Sequence, residues 1–498
     1  MIINNLEKKQ NSSEMIDSDL RERIRDNFIF EIAEYLMKKE KIALREVSKS
    51  FEKEIFSQLQ INIFLKRNIQ NDDFNNSNLD LKKILKFYQK MEKIRVESII
   101  LNNKNIELLE EILKQNVNSL KIIHLMNLEY EQYEYVERLY SVINELKNLS
   151  EISFGGIGNR DRLILHIEKN NKEFSFRNNI KVLKIDNLPL SQIQFLLDYF
   201  NKYSEITIEN CSLDEDISLL TQKLTNKKLT KIHLPLNGFS SNVALENIKT
   251  ILHSQDNLNE LSLKGVWFKS VYSLYTEFQI LNNLEKLDLS GSKYFFSDFG
   301  LESTMIFKHL IHLTSLDLSD SRMRTGNLEN LLKSMNPMLS ESLQELNLMK
   351  NMLNHECFDV LLNSIDKIRK LKTLNLGFNP QIGNKGFNIF AENCDKFKLN
   401  FIDLRGCGIF IKLAQNAFNL IFFKKKHDLK RMEFFYNTIK DCDYESLVRT
   451  TYSFLVSNPN VNPINLNIYF KFKCNLELQK KLEVELDFIY KKYNMVIR

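Results

Sequence analysis

A chain of 498 residues is too long for one ordinary compact core unless that core grows by repetition along one axis. Its 43% apolar and 27% charged content is that of a soluble folded protein, and a net charge of +5 is too small at this length to argue for nucleic acid. No apolar run reaches the roughly 18 residues of a membrane helix, so no membrane partner is expected, and Met1 to Gln10 lacks the apolar stretch of a secretory leader. Six cysteines (Cys211, Cys357, Cys394, Cys407, Cys442 and Cys474) are scattered without a C-x-x-C pair. Reduced thiols and no zinc site are therefore expected, in a cytoplasmic or nuclear setting.

Residues 1–19 read as a flexible N-terminus, after which the pattern becomes helical. Phe28, Ile29, Ile32 and Leu36, then Ile42, Leu44, Val47, Phe51 and Ile55, predict two or three short amphipathic helices within 20–66. So small a module needs its apolar surface covered by a partner or by the rest of the chain. Its order and spacing resemble an F-box, L-P-x-E-x-x-x-x-I-x-x-x-L followed eleven residues later by V-S-x-x-W. Ile24 falls on the first leucine, Asn27 on the glutamate, Ile32 on the isoleucine and Leu36 on the last leucine. Val47 and Ser48 fall on V-S and Phe51 on the tryptophan, while Arg25 replaces the proline and Lys41 stands where an apolar residue is usual. The resemblance implies that Ile24, Phe28, Ile32, Leu36, Val47 and Phe51 dock on a Skp-type adaptor of a cullin ubiquitin ligase. The other reading of the same helices is a cap that shields the first unit of a repeat array. The Asn-rich run Asn68 to Asn78 marks 67–90 as a linker with a lead-in helix.

From residue 91 to 498 a template recurs, L-x-x-L-x-L-x-x-(N/C)-x-L. Clear copies are LTKIHLPLNGF from Leu229, LTSLDLSDSRM from Leu313, LQELNLMKNML from Leu343 and LNFIDLRGCGI from Leu399, with LKTLNLGFNPQI from Leu371 carrying one inserted residue. Divergent copies start at Val96, Leu120, Leu149, Ile180, Tyr203, Leu258, Leu284 and Leu429, and a strand from Ile464 closes the series. The starts from Leu313 to Leu343, Leu371, Leu399 and Leu429 lie 30, 28, 28 and 30 residues apart. Alternation in the template core predicts a strand with its leucines on one side. At the ninth position Cys211, Asn237, Asn351, Asn379, Cys407 and Asn437 are expected to turn inward and satisfy backbone groups, which makes the two cysteines structural.

Between strands the apolar period becomes that of a helix. Ile193, Leu196, Leu197 and Phe200 form one stripe, Leu328, Leu331, Leu332 and Met335 another, and Phe358, Leu361, Leu362 and Ile365 a third. No unit can bury such a stripe alone, but stacked neighbours can. The lengths resemble the ribonuclease-inhibitor-like class of leucine-rich repeats. That resemblance implies an α/β solenoid of about 13 to 14 repeats, with a curved parallel sheet inside and helices outside.

Signals for catalysis are weak and no enzyme activity is expected. His124 and His233 fall four repeats apart, and His309 and His312 lack any H-E-x-x-H or third-ligand pattern, so neither pair predicts a metal. Gly155 to Gly158 lacks the K-[ST] of a phosphate loop and reads as a turn, and no cofactor is expected. Lys424, Lys425, Lys426, Lys430 and Arg431 read as a solvated cluster. The outward fifth position is more informative. It holds Ile100, His124, Ser153, Lys184, Thr207, His233 and Ser262 early, then Asp288, Asp317, Asn347, Asn375, Asp403 and Glu433. Adjacent strands lie about 4.8 Å apart, so Asp288 with Asp317 and Asp403 with Glu433 would set carboxylates side by side. The expectation is a concave ridge for a protein target with a basic segment, or simply a solvated strand face.

Joined, the two resemblances imply a non-catalytic substrate-recognition subunit of a Skp–cullin–F-box type ligase. The rival is a stand-alone repeat scaffold or regulator, for example of a small GTPase, including a bacterial effector acting inside a host cell.

Overall fold

The computed structural model describes residues 92–497, apart from 98–99, 102, 131, 157–179, 201, 215, 268–273, 294–306, 422–427, 435–436, 438–440, 458–466, 470–475 and 494–495. All six F-box-like positions, Ile24, Phe28, Ile32, Leu36, Val47 and Phe51, lie outside the described residues. The chain divides into two compact units, one ending at Ser153 and one holding Phe154–Gly156 and the chain from Ile180.

In the first unit, β1 (Lys93–Glu97) pairs in parallel with β3 (Ile122–Met126), and α1 (Asn103–Gln115) connects them. A second parallel pair joins β2 (Ile100–Leu101) to β4 (Glu129–Tyr130). α2 (Tyr133–Glu145) packs on α1, where the Arg138 guanidinium donates to both Glu110 oxygens at 2.9 and 3.1 Å. β5 (Glu151–Gly155) begins the next repeat. The register corrects the first repeat. Val96 pairs with Leu125, and Arg95, not Ile100, stands beside His124. The repeat therefore starts five residues before Val96, at the position that puts Ile94, Val96 and Leu101 inside, and all three are buried. Ile100 belongs instead to the short second sheet.

The second unit is a leucine-rich-repeat solenoid. Its strands are β6 (Val182–Asp186), β7 (Glu205–Glu209), β8 (Lys231–His233), β9 (Glu260–Ser262), β10 (Lys286–Asp288) and β11 (Ser315–Asp317). They continue as β12 (Glu345–Asn347), β13 (Thr373–Asn375), β14 (Phe401–Asp403), β15 (Arg431–Glu433), β16 (Asn467–Tyr469) and β17 (Val496–Ile497). All lie in chain order in one sheet, each parallel to the next. β17 follows the strand that was expected to end the series. Two residues are enough to pair with β16 but too few to show a template.

The helices are α3 (Leu190–Tyr199), α4 (Ser218–Thr225), α5 (Asn242–His253), α6 (Tyr275–Ile280), α7 (Thr325–Ser334), α8 (Cys357–Asn363), α9 (Gly383–Asn393), α10 (Ile411–Asn419), α11 (Asp441–Ser457), α12 (Leu476–Lys481) and α13 (Glu483–Tyr493). The first two predicted stripes are buried in full: Ile193, Leu196, Leu197 and Phe200, and Leu328, Leu331, Leu332 and Met335. The third stops short. α8 ends at Asn363, a 3-10 turn covers Ile365–Lys367, and Ile368 is the buried residue instead of Ile365. Template leucines in and beside the strands, such as Leu313, Leu316 and Leu318, are buried as well, each worth roughly 1.5–3 kcal/mol. Phe387, Phe418 and Phe434 fill the wider gaps with ring centroids 5.0 to 5.3 Å apart.

The ninth position does what its chemistry predicts. Asn351 accepts from the Ser321 and Met323 N–H groups of the preceding repeat and donates to the Leu318 and Leu348 carbonyls. Asn379 and Asn437 repeat the pattern, each accepting a backbone N–H (Leu353, Ile409) and donating to two carbonyls. Asn237 accepts from the Cys211 N–H and donates to the Ile208 carbonyl. The Cys407 and Cys211 thiols donate to the carbonyls of Leu376 and Glu209. Burial pushes the Cys407 thiol up to about 12 and that of Cys211 up to about 11, so neither is poised as a nucleophile.

Candidate binding surface

A parallel sheet backed by buried leucines offers its other face to solvent, and template positions three, five and seven stand on that face. In the second unit these rows can be followed from β6 to β15. The central feature is the fifth row: Lys184, Thr207, His233 and Ser262, then Asp288, Asp317, Asn347, Asn375, Asp403 and Glu433, each beside the next in register.

From β10 onward the fifth residue has a local duty. Asp288, Asp317, Asn347, Asn375 and Asp403 each accept, at 2.9 to 3.1 Å, the backbone N–H two residues further on. That turn ends the strand and starts the bend of the chain toward its helix, and Asp and Asn make it better than Ser or Thr. The run of Asp and Asn at this position therefore has a folding cause in addition to any binding role.

Charge along the face is segmented. Across β7 to β10 the third row alternates in sign: Lys231 lies between Glu205 and Glu260 at 3.3 and 3.5 Å, and Lys286 reaches Glu260 at 3.0 Å. Glu260 holds its proton less tightly than an ordinary glutamate, because the bonds from Lys286 and Lys231 outweigh its burial. His233 stands next to this row, half-buried. Burial and Lys231 hold its pKa below the ordinary value, against the pull of Glu260, Asp288 and Glu205, so it is neutral near pH 7. The block is self-neutralising.

Asp288 and Asp317 come next and stand in register. Asp288 accepts from the Ser262 hydroxyl at 2.9 Å and Asp317 from the Asn347 amide at 2.8 Å, both neutral donors. Their charge is thus offered to solvent.

The second expected carboxylate pair differs. Asp403 is 0% exposed at its side chain, and Arg405 grips it with Nε at 2.9 Å from both oxygens and Nη2 at 2.6 Å from one. Glu433 is held by Arg431, with Nε at 3.0 Å, and lies 3.9 Å from Arg405. Gly377 leaves room for this arrangement: a Cβ there would sit 3.1 Å from the Asp403 carboxylate, which would have to shift by a few tenths of an ångström. Asp403 and Glu433 are therefore neither exposed nor mutually unscreened, contrary to the expectation from their register alone. Both arginines stand two residues from the acid they hold, which is the same strand face. That spacing was readable in the chain. Arg431 also covers the Phe401 ring at 5.5 Å, so at this end of the face the paired charges lie beside an aromatic ring.

Elsewhere, His124 Nδ1 lies 2.8 Å from the buried Ser153 hydroxyl in the first unit, its expected neighbour in the fifth row. Arg95 stands beside His124 in register. Among the described residues no group of three or more His, Cys, Asp or Glu could hold a metal. No described helix is long and apolar enough to cross a membrane.

No family model matches the chain, and no curated protein matches it. Solved structures do. The TLR13 chain of a TLR13–ssRNA13 complex is 16% identical with a TM-score of 0.33, covering 80% of this chain, while this chain spans 57% of TLR13. An internalin of Listeria monocytogenes is 15% identical with a TM-score of 0.38, covering 74% of this chain and 96% of its own. Likenesses this distant say nothing of ligand or partner.

Proposed function

We propose that this protein is a non-catalytic protein-binding subunit that recruits targets to a Skp–cullin–F-box type ubiquitin ligase. The repeats form the receiving surface, and the helices predicted within 20–66 dock on the adaptor. The observation that carries the first half is the open sheet face. It is a long polar surface whose side chains are held at fixed spacing by the turns behind them, and among its described residues no nucleophile, base and oxyanion donors come together. The second half rests on the order and spacing of Ile24, Ile32, Leu36, Val47 and Phe51.

The target on this reading is a protein with a basic segment that lies against Asp288 and Asp317, the two ridge carboxylates held only by neutral donors. Asp403 and Glu433 contribute shape more than charge, because their arginines already answer them. Attraction of this kind raises the association rate and weakens with salt.

The test is capture of a purified Skp-type adaptor by the full chain. Wild type should retain it, and Leu36→Asp should lose it, since a carboxylate in an apolar contact is costly unless paired. Circular dichroism must show the variant folded. A folded wild-type chain that retains no adaptor ends the ligase reading. Asp288→Asn with Asp317→Asn should leave adaptor capture intact and weaken target capture at low salt; unchanged target capture would remove these two residues from the site.

A further inference from the structure

Where a strand ends, the chain bends toward its helix, and the bends of successive repeats stand side by side along one edge of the sheet. From β11 to β14 these exit segments are 318–325, 348–357, 376–386 and 404–413. They are stitched to one another. Arg324 bridges Met352 in parallel, and the Met352 N–H donates to the Met323 carbonyl at 2.8 Å. The Thr325 hydroxyl donates to the Asn354 side-chain oxygen, also at 2.8 Å. Lys385 Nζ lies 2.7 Å from His355 Nε2. The Asn384 amide brackets the Phe410 backbone, donating to its carbonyl at 2.9 Å and accepting its N–H at 3.0 Å. The four segments thus make one continuous surface.

Its charge is opposite to that of the fifth row. The four segments carry six Lys or Arg, and Asp320 and Glu356 are their acids. Arg405 is taken up by Asp403, whereas Arg322, Arg324, Lys350 and Lys385 are exposed. On the same segments the large apolar side chains of Met352, Phe410 and Leu413 are exposed as well, by 44% to 67%. Such residues scattered singly need no explanation, but three on one stitched edge mark an interaction surface.

Phe378 adds an observation of another kind. The eighth template position is left-handed in every repeat from β7 to β14, and Gly, Asn or Asp fills it at Asn210, Gly265, Gly291, Asp320 and Gly406. A phenylalanine takes that backbone only against steric resistance. Phe378 takes it, with φ 58°. Its ring lies against Gly406, where a Cβ would come within 2.8 Å of Cδ1, and Lys350 Nζ stands over the ring at 6.0 Å. The edge therefore holds a cation on an aromatic ring at a place where Gly or Asn would suit the turn better.

We propose that this strand-exit edge is a second docking surface, and that its occupant is an acidic segment of a partner protein in which Asp or Glu is interspersed with apolar side chains. Charge complementarity asks for the carboxylates, and Met352, Phe410 and Leu413 ask for the apolar groups between them. A nucleic acid suits the edge less well, because Lys350 and Gly406 occupy the two sides of the Phe378 ring and leave a base no face to stack on. The surface goes beyond the adaptor and the acidic ridge and stands without either.

Fluorescence anisotropy with the full chain and short labelled peptides tests this. A peptide repeating Asp-Glu-Leu should bind about tenfold more tightly than one repeating Asn-Gln-Leu, and several-fold more tightly than one repeating Asp-Glu-Ser. The advantage over the amide peptide should fade as salt rises. Lys350→Gln with Lys385→Gln should weaken the Asp-Glu-Leu peptide about fivefold. Met352→Ser with Phe410→Ser should weaken it several-fold and leave the Asp-Glu-Ser peptide within about a factor of two. All four replaced side chains are exposed, and circular dichroism of both variants should match wild type. Equal binding of the acidic and amide peptides overturns the proposal, and so does acidic binding that the lysine variant leaves unchanged. An oligonucleotide or a phosphatidylserine vesicle held through the same lysines more tightly than the peptide overturns it in favour of a phosphate ligand. A dimer in sedimentation that the lysine variant dissolves overturns it in favour of a second copy.

Discussion

Asn351→Ala should destabilise the second unit by about 3 kcal/mol, although it removes a side chain with no apolar surface to speak of. The amide oxygen takes the Ser321 and Met323 N–H groups at 3.1 and 2.9 Å, and the amide nitrogen serves the Leu318 and Leu348 carbonyls at 2.9 and 3.0 Å. Alanine leaves all four buried groups to find water or nothing. Each unmet group costs about 1–3 kcal/mol in full, and partial entry of water into the vacated space brings the sum down. Substitutions that keep part of the function should rank accordingly. Cysteine should cost least, since Cys407 fills the same position and its thiol donates to the Leu376 carbonyl at 3.2 Å. Aspartate should cost at least as much as alanine, because it sets a second charged oxygen against two carbonyls. Repeat arrays need not unfold in one step, so the measurement is urea unfolding read together with hydrogen exchange in the segments flanking Asn351. A loss below about 1 kcal/mol for alanine would mean that the ladder of inward amides is ornament to the stack.

The inward half of this fold was legible in the chain because its physics is one-sided. A buried position admits few residue types, so Leu316, Leu346, Leu374 and Ile402 announce the strands and even their register, which came out as the template requires. Where the apolar code is satisfied in two phases it misleads. Val96 can stand first or sixth in a template, and only pairing with Leu125 settles that it stands sixth. The end of α8 was misread for a similar reason. Ile365 continues the stripe in sequence, but the helix has already tightened into a 3-10 turn there.

The outward half was legible in composition and not in partnership. Asp and Asn at the fifth position were visible, but whether a carboxylate there is bare or answered depends on a residue two places along the strand or one repeat away. Asp317 is bonded by Asn347, 30 residues on. Asp403 is answered by Arg405. A binding ridge inferred from the fifth row alone therefore treats alike two pairs that the structure separates: Asp288 and Asp317, held by neutral donors, and Asp403 and Glu433, held by arginines.

That separation predicts a second large effect. Arg405→Leu should cost about 2–3 kcal/mol, while Asp403→Asn should cost less than about 1. The asymmetry follows from burial. The Asp403 side chain is 0% exposed and its neutralising guanidinium 31% exposed, so removing the arginine strands a charge in the wall of the sheet, whereas removing the charge leaves a guanidinium that water can reach. The full cost of breaking a buried pair, about 3–5 kcal/mol, is not expected, because the Arg405 backbone N–H still donates to Asp403 at 2.9 Å and Glu433 still has Arg431. Asparagine at 403 keeps the turn that Asn347 and Asn375 make on neighbouring strands. The double variant Arg405→Leu with Asp403→Asn should therefore recover most of the loss, giving a coupling of about 1.5–2 kcal/mol by urea unfolding. If Arg405→Leu is neutral, then Asp403 is solvated after all, and the acidic ridge regains its C-terminal half as a surface for a basic partner. If the coupling appears, Asp403 belongs to the fold, and the search for what this protein holds narrows to Asp288, Asp317 and the amides of Asn347 and Asn375 beside them.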